Sequence, residues 1–406
     1  MPKIPAFVKK RYSGKQVGDS MQKLIYYAPA SFGGLFNYAQ EQADALAGEG
    51  ISVTLLCSPE FKKRPTDRYS IKPNLTEHRT STSKNKISRA LNFLRIVVSN
   101  MAVLRREIED GGFRHVMFVS FAEYFAPIWS RGFRKLAKGG VIFGAVIQEP
   151  VRNFRAGPLW WHRRSISDAY SFLKYAFVHD NVVLDTGKEK EDLSTIVIPY
   201  GPHRFPDPSE DRNQVRQRLG VPVDAILLFS FGHIRDDKNL DHCVQALKDL
   251  PDVYLLVAGK RSANSQRPES YYMTLAESIG VSKRCKWIIE YVTEEEAANL
   301  FAASDLVLLT YSSSFRSASG VLHLAARYEK QSIVSSGQGS LKSVVIKSQI
   351  GIWIEPDEPN AIVSGIQNWI KHHKEPDWEK YRNENSWHQN ARLVKDAMIN
   401  DEETED

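Results

Sequence analysis

The chain has 406 residues, enough for two domains that each bury a core, and a formal net charge of +6. Its 42% hydrophobic and 25% charged residues are typical of a globular protein, and no run of eighteen or more apolar residues predicts a membrane-spanning helix. The start of the chain lacks the pattern of a signal peptide, and its three cysteines (Cys57, Cys243 and Cys285) show neither metal nor disulfide spacing. These features predict a cytoplasmic protein without a bound metal.

The positive charge is unevenly distributed and predicts an anionic partner. Residues 3–15 and 61–95 are basic, whereas residues 401–406 form an acidic tail. The candidate partners are nucleic acid, anionic lipid headgroups and a phosphorylated small molecule. No RNA-binding signature, zinc finger or basic zipper is present, so nucleic acid is the weakest of the three and is not expected as a partner.

Strand, turn and helix patterns alternate along the chain. Residues 23–57 read as a strand, a Gly-rich turn, a helix and a second strand, and residues 225–258 repeat that order. Further short apolar runs follow each unit. The pattern predicts an α/β fold with two doubly wound, Rossmann-like sheets. The Pro-rich stretch from Gly201 to Arg216 is the predicted hinge.

The predicted domain boundaries follow from these patterns. We expect a basic N-terminal extension (1–20), an acceptor-binding domain (21–205) and a nucleotide-sugar-binding domain (206–380). A helix that returns to the first domain (381–400) and an acidic tail (401–406) are expected to follow.

Several motifs in the chain resemble, in order and spacing, those of family-four glycosyltransferases (glycosyl transferases group 1). The segment FGHIRDDKNLDHCVQAL resembles the family's GxIRxxKGxDxLIxAL element, and QSIVSSGQGS resembles kPVIasxxGg. The family's yvxxeelxxlfxxaDvvvlPYxxxxxSGvlxxA element is matched by YVTEEEAANLFAASDLVLLTYSSSFRSASGVLHLA. The family's N-terminal glycine-rich turn is matched by FGGLFNYAQEQADALAGEGISVTLL. The resemblance implies a GT-B fold, with two Rossmann-like domains that face a central cleft, and a nucleotide-diphosphate sugar as donor substrate without a further cofactor.

The resemblance also implies which residues bind the donor. Negative charge builds on the diphosphate as the glycosidic bond breaks, and GT-B enzymes neutralise it with basic side chains and a helix N-terminus. Arg235 and Lys238 are the expected basic pair; the alternative is two solvated charges on a surface turn. The other expected donor-binding residues are Gly33, Gly34, Gly232, His233, Ser317, Ser319, Gly320 and Val321. For Ser319 and Gly320 the alternative is a serine N-cap without a ligand.

One part of the family pattern is missing. The family carries Glu-x7-Glu in this stretch, and its second glutamate holds the nucleotide ribose. Ser317 and Ala325 occupy those positions here, and neither can act as that carboxylate. This departure leaves both the donor base and the retaining or inverting stereochemistry open.

The acceptor side gives fewer signals. Glu149 follows a predicted strand where relatives carry a histidine, so it is either a general base for the acceptor hydroxyl or a surface glutamate. His179 closes another strand and is expected to be structural. Trp160 and Trp161 lie beside basic residues, so they either contact an anionic membrane or anchor a loop in the interdomain core.

We therefore expect a metal-independent hexosyl-type glycosyltransferase that acts on a glycan or polyprenyl-linked acceptor. Its expected role is in the biosynthesis of a bacterial surface polysaccharide or exopolysaccharide, either in the cytoplasm or at the inner face of the cytoplasmic membrane. The alternative, prompted by Ser317 and Ala325, is an inactive GT-B homologue that serves as the binding or scaffold subunit of a glycosylation complex.

Overall fold

The computed structural model describes residues 21–77, 86–150, 152, 155, 157–263, 265–372 and 374–400. The expected N-terminal extension (1–20) and acidic tail (401–406) lie outside the described residues. The described chain forms two all-parallel sheets joined by a short linker. The predicted α/β class with two Rossmann-like sheets is confirmed.

The first sheet has seven strands in the order β3-β2-β1-β4-β5-β6-β7. Their bounds are β1 Lys23–Tyr27, β2 Ser52–Leu56, β3 Ser70–Lys72, β4 His115–Phe118, β5 Ile142–Val146, β6 Tyr175–Val178 and β7 Ser194–Val197. The second sheet has six strands in the order β10-β9-β8-β11-β12-β13. Their bounds are β8 Ile226–Phe231, β9 Val253–Ala258, β10 Cys285–Ile288, β11 Leu306–Thr310, β12 Ser332–Ser335 and β13 Gly351–Trp353.

Thirteen α-helices connect and flank the strands within the described residues. They are α1 Gly34–Gly48, α2 Lys86–Gly111, α3 Ala126–Lys138, α4 Leu159–Tyr170, α5 Arg212–Leu219, α6 Leu240–Ala246, α7 Glu269–Ser278, α8 Glu294–Ala303, α9 Gly320–Arg327, α10 Ser340–Ser348, α11 Pro359–Lys371, α12 Trp378–Glu384 and α13 Trp387–Lys395. Short 3₁₀ turns lie at Glu123–Phe125, Asp236–Lys238, Leu247–Asp249 and Ser282–Arg284, and a π-helical turn, Asp396–Asn400, follows α13.

Both faces of the first sheet are covered. In β1, Leu24 and Tyr26 pack in one apolar cluster, whereas Ile25 and Tyr27 pack in a second cluster on the opposite face. Successive side chains of a strand point to opposite faces, so a strand buried on both sides reads as a continuous apolar run. This explains why the sequence shows unbroken apolar segments here instead of alternation.

The linker between the domains is shorter than predicted. The expected hinge extends to Arg216, but α5 begins at Arg212 after the capping box of Asp211. Arg216 is fully buried, and its guanidinium lies 2.5 Å from the Asp305 carboxylate in the second domain. The end of the predicted hinge is therefore part of the second domain, because the capped helix starts there.

Helix α13 returns to the first domain and packs against α1. Gln42 of α1 donates from Nε2 to the Asn390 side-chain oxygen at 2.7 Å, and Trp387 donates from Nε1 to the Pro202 carbonyl oxygen at 2.8 Å. The returning helix thus contacts both the first domain and the linker.

Within the described residues, one helix, in the first domain, is long and apolar enough to cross a membrane by length and composition. Residues Ile87–Gly111 of α2 have a mean hydropathy of 1.3 in their most apolar window, and 22% of that window is buried. The sequence criterion of eighteen consecutive apolar residues does not detect this helix, because arginine, serine and asparagine interrupt its apolar run. Length and composition alone are weak evidence for a span, since a helix of a globular protein can meet the same criteria.

Candidate functional site

The candidate donor site lies where the order of the second sheet reverses direction. Strands β8 and β11 are neighbours, and the loops that follow them lie side by side. The Ser312 amide donates to the Asp237 carbonyl oxygen at 2.7 Å, and the Thr310 hydroxyl donates to the Lys238 carbonyl oxygen at 2.9 Å. A crevice at the carboxyl ends of such strands is the usual ligand site of open α/β sheets.

Gly232 makes the turn after β8 and leaves space between two other site residues. Its φ of 86° lies in the left-handed region, which favours glycine. A Cβ at this position would lie 3.7 Å from Lys238 Nζ and 3.9 Å from a methyl group of Val321. The structure therefore brings Gly232, Lys238 and Val321 together, although they come from two separate segments of the sequence.

Lys238 presents an ammonium group that is largely withdrawn from water. Part of the residue is exposed, but Nζ donates to the Phe231 carbonyl oxygen at 2.6 Å. Burial, followed by the nearby positive charge of Arg235, lowers the pKa of Lys238 to about 7. An anion placed beside it would favour the charged form again.

Arg235 is held by an acid and by two aromatic rings. Its Nε lies 3.1 Å from the Asp237 carboxylate, and its guanidinium lies 5.8 Å from the ring centres of both Tyr311 and Phe315. The two rings stack with centroids 4.0 Å apart. The Arg235 side chain is one-third exposed, and these contacts hold its guanidinium in place. The nearby His233 has an exposed side chain. The partial loss of water around its ring, followed by the positive charges of Lys238 and Arg235, lowers the pKa of His233.

The start of α9 completes this side of the crevice. Ser319 is the N-cap residue, but its side chain makes no capping bond and instead lies 3.2 Å from the Tyr311 hydroxyl. Ser319 thus takes the N-cap position of α9, but its hydroxyl does not cap the helix. Gly320, the first helical residue, has no room for a side chain without movement, because a Cβ would meet the Tyr200 hydroxyl at 3.1 Å. The first N–H groups of a helix lack intrahelical partners and can receive an anion.

The two positions of the missing glutamates differ in their surroundings. Ser317 is half-buried in the loop before α9, whereas Ala325 is fully buried in the core of the second domain. Neither offers a carboxylate to a ligand.

A glycine turn of the first domain has open space beside it. Gly33 follows β1 with a φ of 78°, and a Cβ added at either Gly33 or Gly34 would have no neighbour within 4 Å. Because Gly33 caps α1 without a side chain, the backbone N–H groups at this helix start are accessible to a ligand.

Comparisons with known proteins match the second domain most clearly. The family described as glycosyl transferases group 1 matches residues 211–393. D-inositol 3-phosphate glycosyltransferase of Mycobacterium tuberculosis is 28% identical over 162 residues, which are 40% of this chain and 33% of that protein. The match thus spans about a third of the length of these curated relatives.

The second domain thus matches the glycosyl transferases group 1 family, and we call it the group 1 domain.

Solved structures show that the whole chain has the GT-B fold. A glycosyltransferase from Rickettsia africae is similar with a TM-score of 0.67 and 16% identity, covering 94% of this chain and 98% of that one. The Anabaena protein HepE in complex with UDP and glucose gives a TM-score of 0.63 at 13% identity, covering 95% and 98%. WaaG, a glycosyltransferase involved in lipopolysaccharide biosynthesis, gives 0.57 at 15% identity, covering 93% and 96%.

The group 1 domain meets the first domain through a buried cluster that the sequence did not predict. His179, at the end of β6, donates to the Ile198 carbonyl oxygen at 3.0 Å, and its own carbonyl oxygen accepts from Ser340 of α10 at 3.1 Å. The Tyr200 ring stacks beside Tyr38 and meets His323 of α9 edge-on. Burial lowers the pKa of His179 to about 4. These residues are spread over the sequence, so their proximity required the fold.

Glu149 lies apart from the donor loops of the group 1 domain. It follows β5, is exposed, and makes no hydrogen bond or ion pair with the other residues that the structure describes. Its neighbour Gln148 is half-buried, and the Gln148 amide nitrogen has no partner among those residues. Among the described residues Glu149 of the first domain makes no ion pair with Arg235 or Lys238 of the second domain.

Trp160 and Trp161 lie in the first domain, at the start of α4. Trp160 is 64% exposed, and Trp161 donates from Nε1 to the Tyr124 carbonyl oxygen at 3.2 Å. The alternative that both anchor a loop in the interdomain core is therefore wrong, because the turn Glu123–Phe125 that holds Trp161 belongs to the first domain. Among the described residues there is no group of three or more His, Cys, Asp or Glu side chains that could hold a metal ion.

Proposed function

We propose that the protein transfers a sugar from a nucleotide-diphosphate donor to a glycan or lipid-linked acceptor. The observation that carries this proposal is the convergence of Arg235, Lys238 and the start of α9 on one crevice at the switch point of the second sheet. The crevice offers two cations and the N-terminus of a helix without a side-chain cap, which suit a diphosphate leaving group. The match of this domain to glycosyl transferases group 1 supports the same donor class.

In the proposed reaction, the bond between the anomeric carbon and the β-phosphate oxygen breaks, and the acceptor hydroxyl oxygen forms the new glycosidic bond. Arg235 and Lys238 neutralise the charge that develops on the departing diphosphate, while Ser319 and Gly320 receive it at the start of α9. Gly232, His233, Ser317 and Val321 border this site, and Gly33 and Gly34 face the donor from the first domain. Glu149 is the proposed acceptor of the hydroxyl proton.

We further propose that the product belongs to a bacterial surface polysaccharide or glycolipid, assembled at the inner face of the cytoplasmic membrane. The structural likeness to WaaG, whose description places it in lipopolysaccharide biosynthesis, supports this step. The exposed Trp160 beside Arg163 and Arg164 supports contact with a lipid surface.

Donor binding by the purified protein tests the proposal. We expect calorimetric titration to find one donor among UDP-, GDP- and ADP-sugars, and Arg235→Ala to weaken its binding by about tenfold to a hundredfold, the range for a charge-assisted phosphate contact. Arg382→Ala is the matched control, since Arg382 pairs with Glu329 at the protein surface. If no sugar nucleotide binds the wild-type protein, the proposal is wrong.

A second candidate, an inactive GT-B subunit that binds or scaffolds other proteins, is favoured by Ser317 and Ala325. The fully buried Ala325 offers no group to the donor ribose. Turnover of the bound donor, measured as released nucleoside diphosphate over time, separates the two candidates. An inactive subunit would release none, even with donor and acceptor present in excess.

A further inference from the structure

The exposed half of α2 is an apolar surface that the proposed chemistry does not use. None of residues 87–96 is buried. Ile87 is 70% exposed, Leu91 61% and Val98 37%, and Leu94 is half-buried. With 3.6 residues per turn these four side chains fall on one face and form a stripe about 16 Å long. We call this set, Ile87, Leu91, Leu94 and Val98, the α2 stripe.

The buried half of α2 opposes a membrane-spanning position of the helix. Val97, Met101, Leu104 and Ile108 are buried in a core cluster of the first domain. A helix that crossed a bilayer would have to withdraw these side chains from the core. The hydropathy of α2 is therefore better explained by one end in the protein core and one end offered to a partner at the surface.

The charge around the stripe identifies the partner. From His78 to Arg106 the sequence contains no Asp or Glu, and its cationic residues are Arg79, Lys84, Lys86, Arg89, Arg95, Arg105 and Arg106. Along the sequence the stripe is thus accompanied by cations and by no acidic residue, and the nearby Glu123 is paired with Arg152, a pattern that suits an anionic lipid surface. A symmetric pair of copies joined through this face would bring like charges together, which opposes self-association.

A second exposed apolar group, Leu159 and Trp160 at the start of α4, is connected to α2 through the turn Glu123–Phe125. The ring of Phe93 in α2 lies 5.8 Å from that of Phe125, in the turn Glu123–Phe125. The same turn accepts the Trp161 bond at the start of α4, where Leu159 and Trp160 are 45% and 64% exposed. Both groups lie at the carboxyl edge of the first sheet, since α2 and α4 each begin after a strand ends there.

We propose that the α2 stripe, together with Leu159 and Trp160, docks the first domain onto an anionic membrane. Ile87 and Leu91 enter the headgroup region, and Arg89 and Arg95 meet lipid phosphates. The lipid surface then lies beside the edge of the first sheet at which the proposed acceptor enters. This inference extends the proposed lipid-linked acceptor, but the docking itself requires neither donor nor catalysis.

Vesicle sedimentation with the full chain tests the docking. We expect the protein to bind vesicles of phosphatidylcholine with phosphatidylglycerol, and to bind phosphatidylcholine alone at least about tenfold more weakly. Leu91→Glu and, separately, Ile87→Glu should each lower binding to the anionic vesicles by about tenfold or more, because each places a charge in the apolar contact. Ile346→Glu is the matched control, since Ile346 is 54% exposed on α10 of the second domain.

Three outcomes would overturn the inference. They are the absence of wild-type binding to anionic vesicles, equal binding by the Leu91 and Ile346 variants, and a dimer in sedimentation velocity that Leu91→Glu dissociates. Far-UV circular dichroism and unchanged donor binding by the Leu91 variant show that it is folded. If vesicles bind and no sugar nucleotide does, the docking surface stands and the proposed transferase function fails.

Discussion

Lys238 and Arg235 hold their positive charges in different ways, and this difference has a measurable consequence. Arg235 keeps its charge at any physiological pH and is held in place by Asp237, Tyr311 and Phe315. Lys238, whose pKa is lowered to about 7, divides between charged and neutral forms near neutrality. Only its charged form can neutralise a diphosphate, so donor binding is coupled to protonation.

The affinity for the donor is expected to fall as the pH rises. A bound diphosphate raises the pKa of Lys238, so the complex takes up a proton that the free protein lacks above pH 7. With a free-state pKa of about 7, the dissociation constant should increase about tenfold between pH 6 and pH 8. Calorimetric titration in buffers of different ionisation enthalpy would measure the proton uptake directly.

The control for this pH dependence is Lys238→Met, which keeps the length of the side chain and removes the titrating group. We expect weaker binding at pH 6 and a nearly flat pH profile. A variant that keeps the full wild-type pH dependence would show that another group titrates, and the role assigned to Lys238 would then be wrong.

At the scale of elements, the first strand of each domain is followed by a glycine turn that leads toward a helix or a 3₁₀ turn. Gly33 follows β1 and Gly232 follows β8, and both have positive φ. The sequence predicted these strand–turn–helix units well, because local apolar runs and turn residues are sufficient to identify them. It did not predict that Tyr311 and Phe315 would support Arg235, since that contact joins loops about eighty residues apart and depends on β8 and β11 being neighbours.

The glycine turn of the first domain can be tested with a matched pair of alanines. Gly33→Ala places a side chain at φ 78° and is expected to destabilise the protein by about 1 kcal/mol, although the added methyl meets no neighbour. Gly34→Ala adds the same methyl to equally open space without a positive φ, so it should be nearly neutral. Urea unfolding at equilibrium measures both, and equal destabilisation would mean that backbone conformation is not the cause.

At the scale of the molecule, the two domains share a buried aromatic and histidine cluster. His203 of the linker and His323 of α9 in the second domain are buried, and His179 of the first domain is half-buried. The Tyr381 hydroxyl lies 2.7 Å from His323 Nδ1, and the Tyr200 hydroxyl lies 3.2 Å from His203 Nε2. The sequence could not reveal this cluster, because a histidine at a strand end has no local pattern that distinguishes a buried interdomain contact from a surface position.

The cluster predicts that the protein loses stability in mild acid. Burial lowers the pKa of His179 and His203 to about 4 and that of His323 well below its usual value, whereas all three regain a pKa near 6.5 on unfolding. Below pH 6.5 the unfolded chain therefore binds more protons than the folded one. The free energy of unfolding should fall as the pH drops toward 4, by up to about 1.4 kcal/mol per pH unit for each histidine.

Urea unfolding followed by circular dichroism at pH 7.5, 6 and 5 would measure this slope. Because carboxylates also titrate at the acid end, the informative quantity is the difference between variants. His203→Gln removes one buried titrating group and should reduce the slope between pH 6 and 5 by close to one proton. The control is His372→Gln, at an exposed histidine outside the cluster. His203 lies close to Gly320 of α9, so it belongs to the contact between the domains. Identical slopes for both variants would mean that acid does not destabilise the protein through this contact.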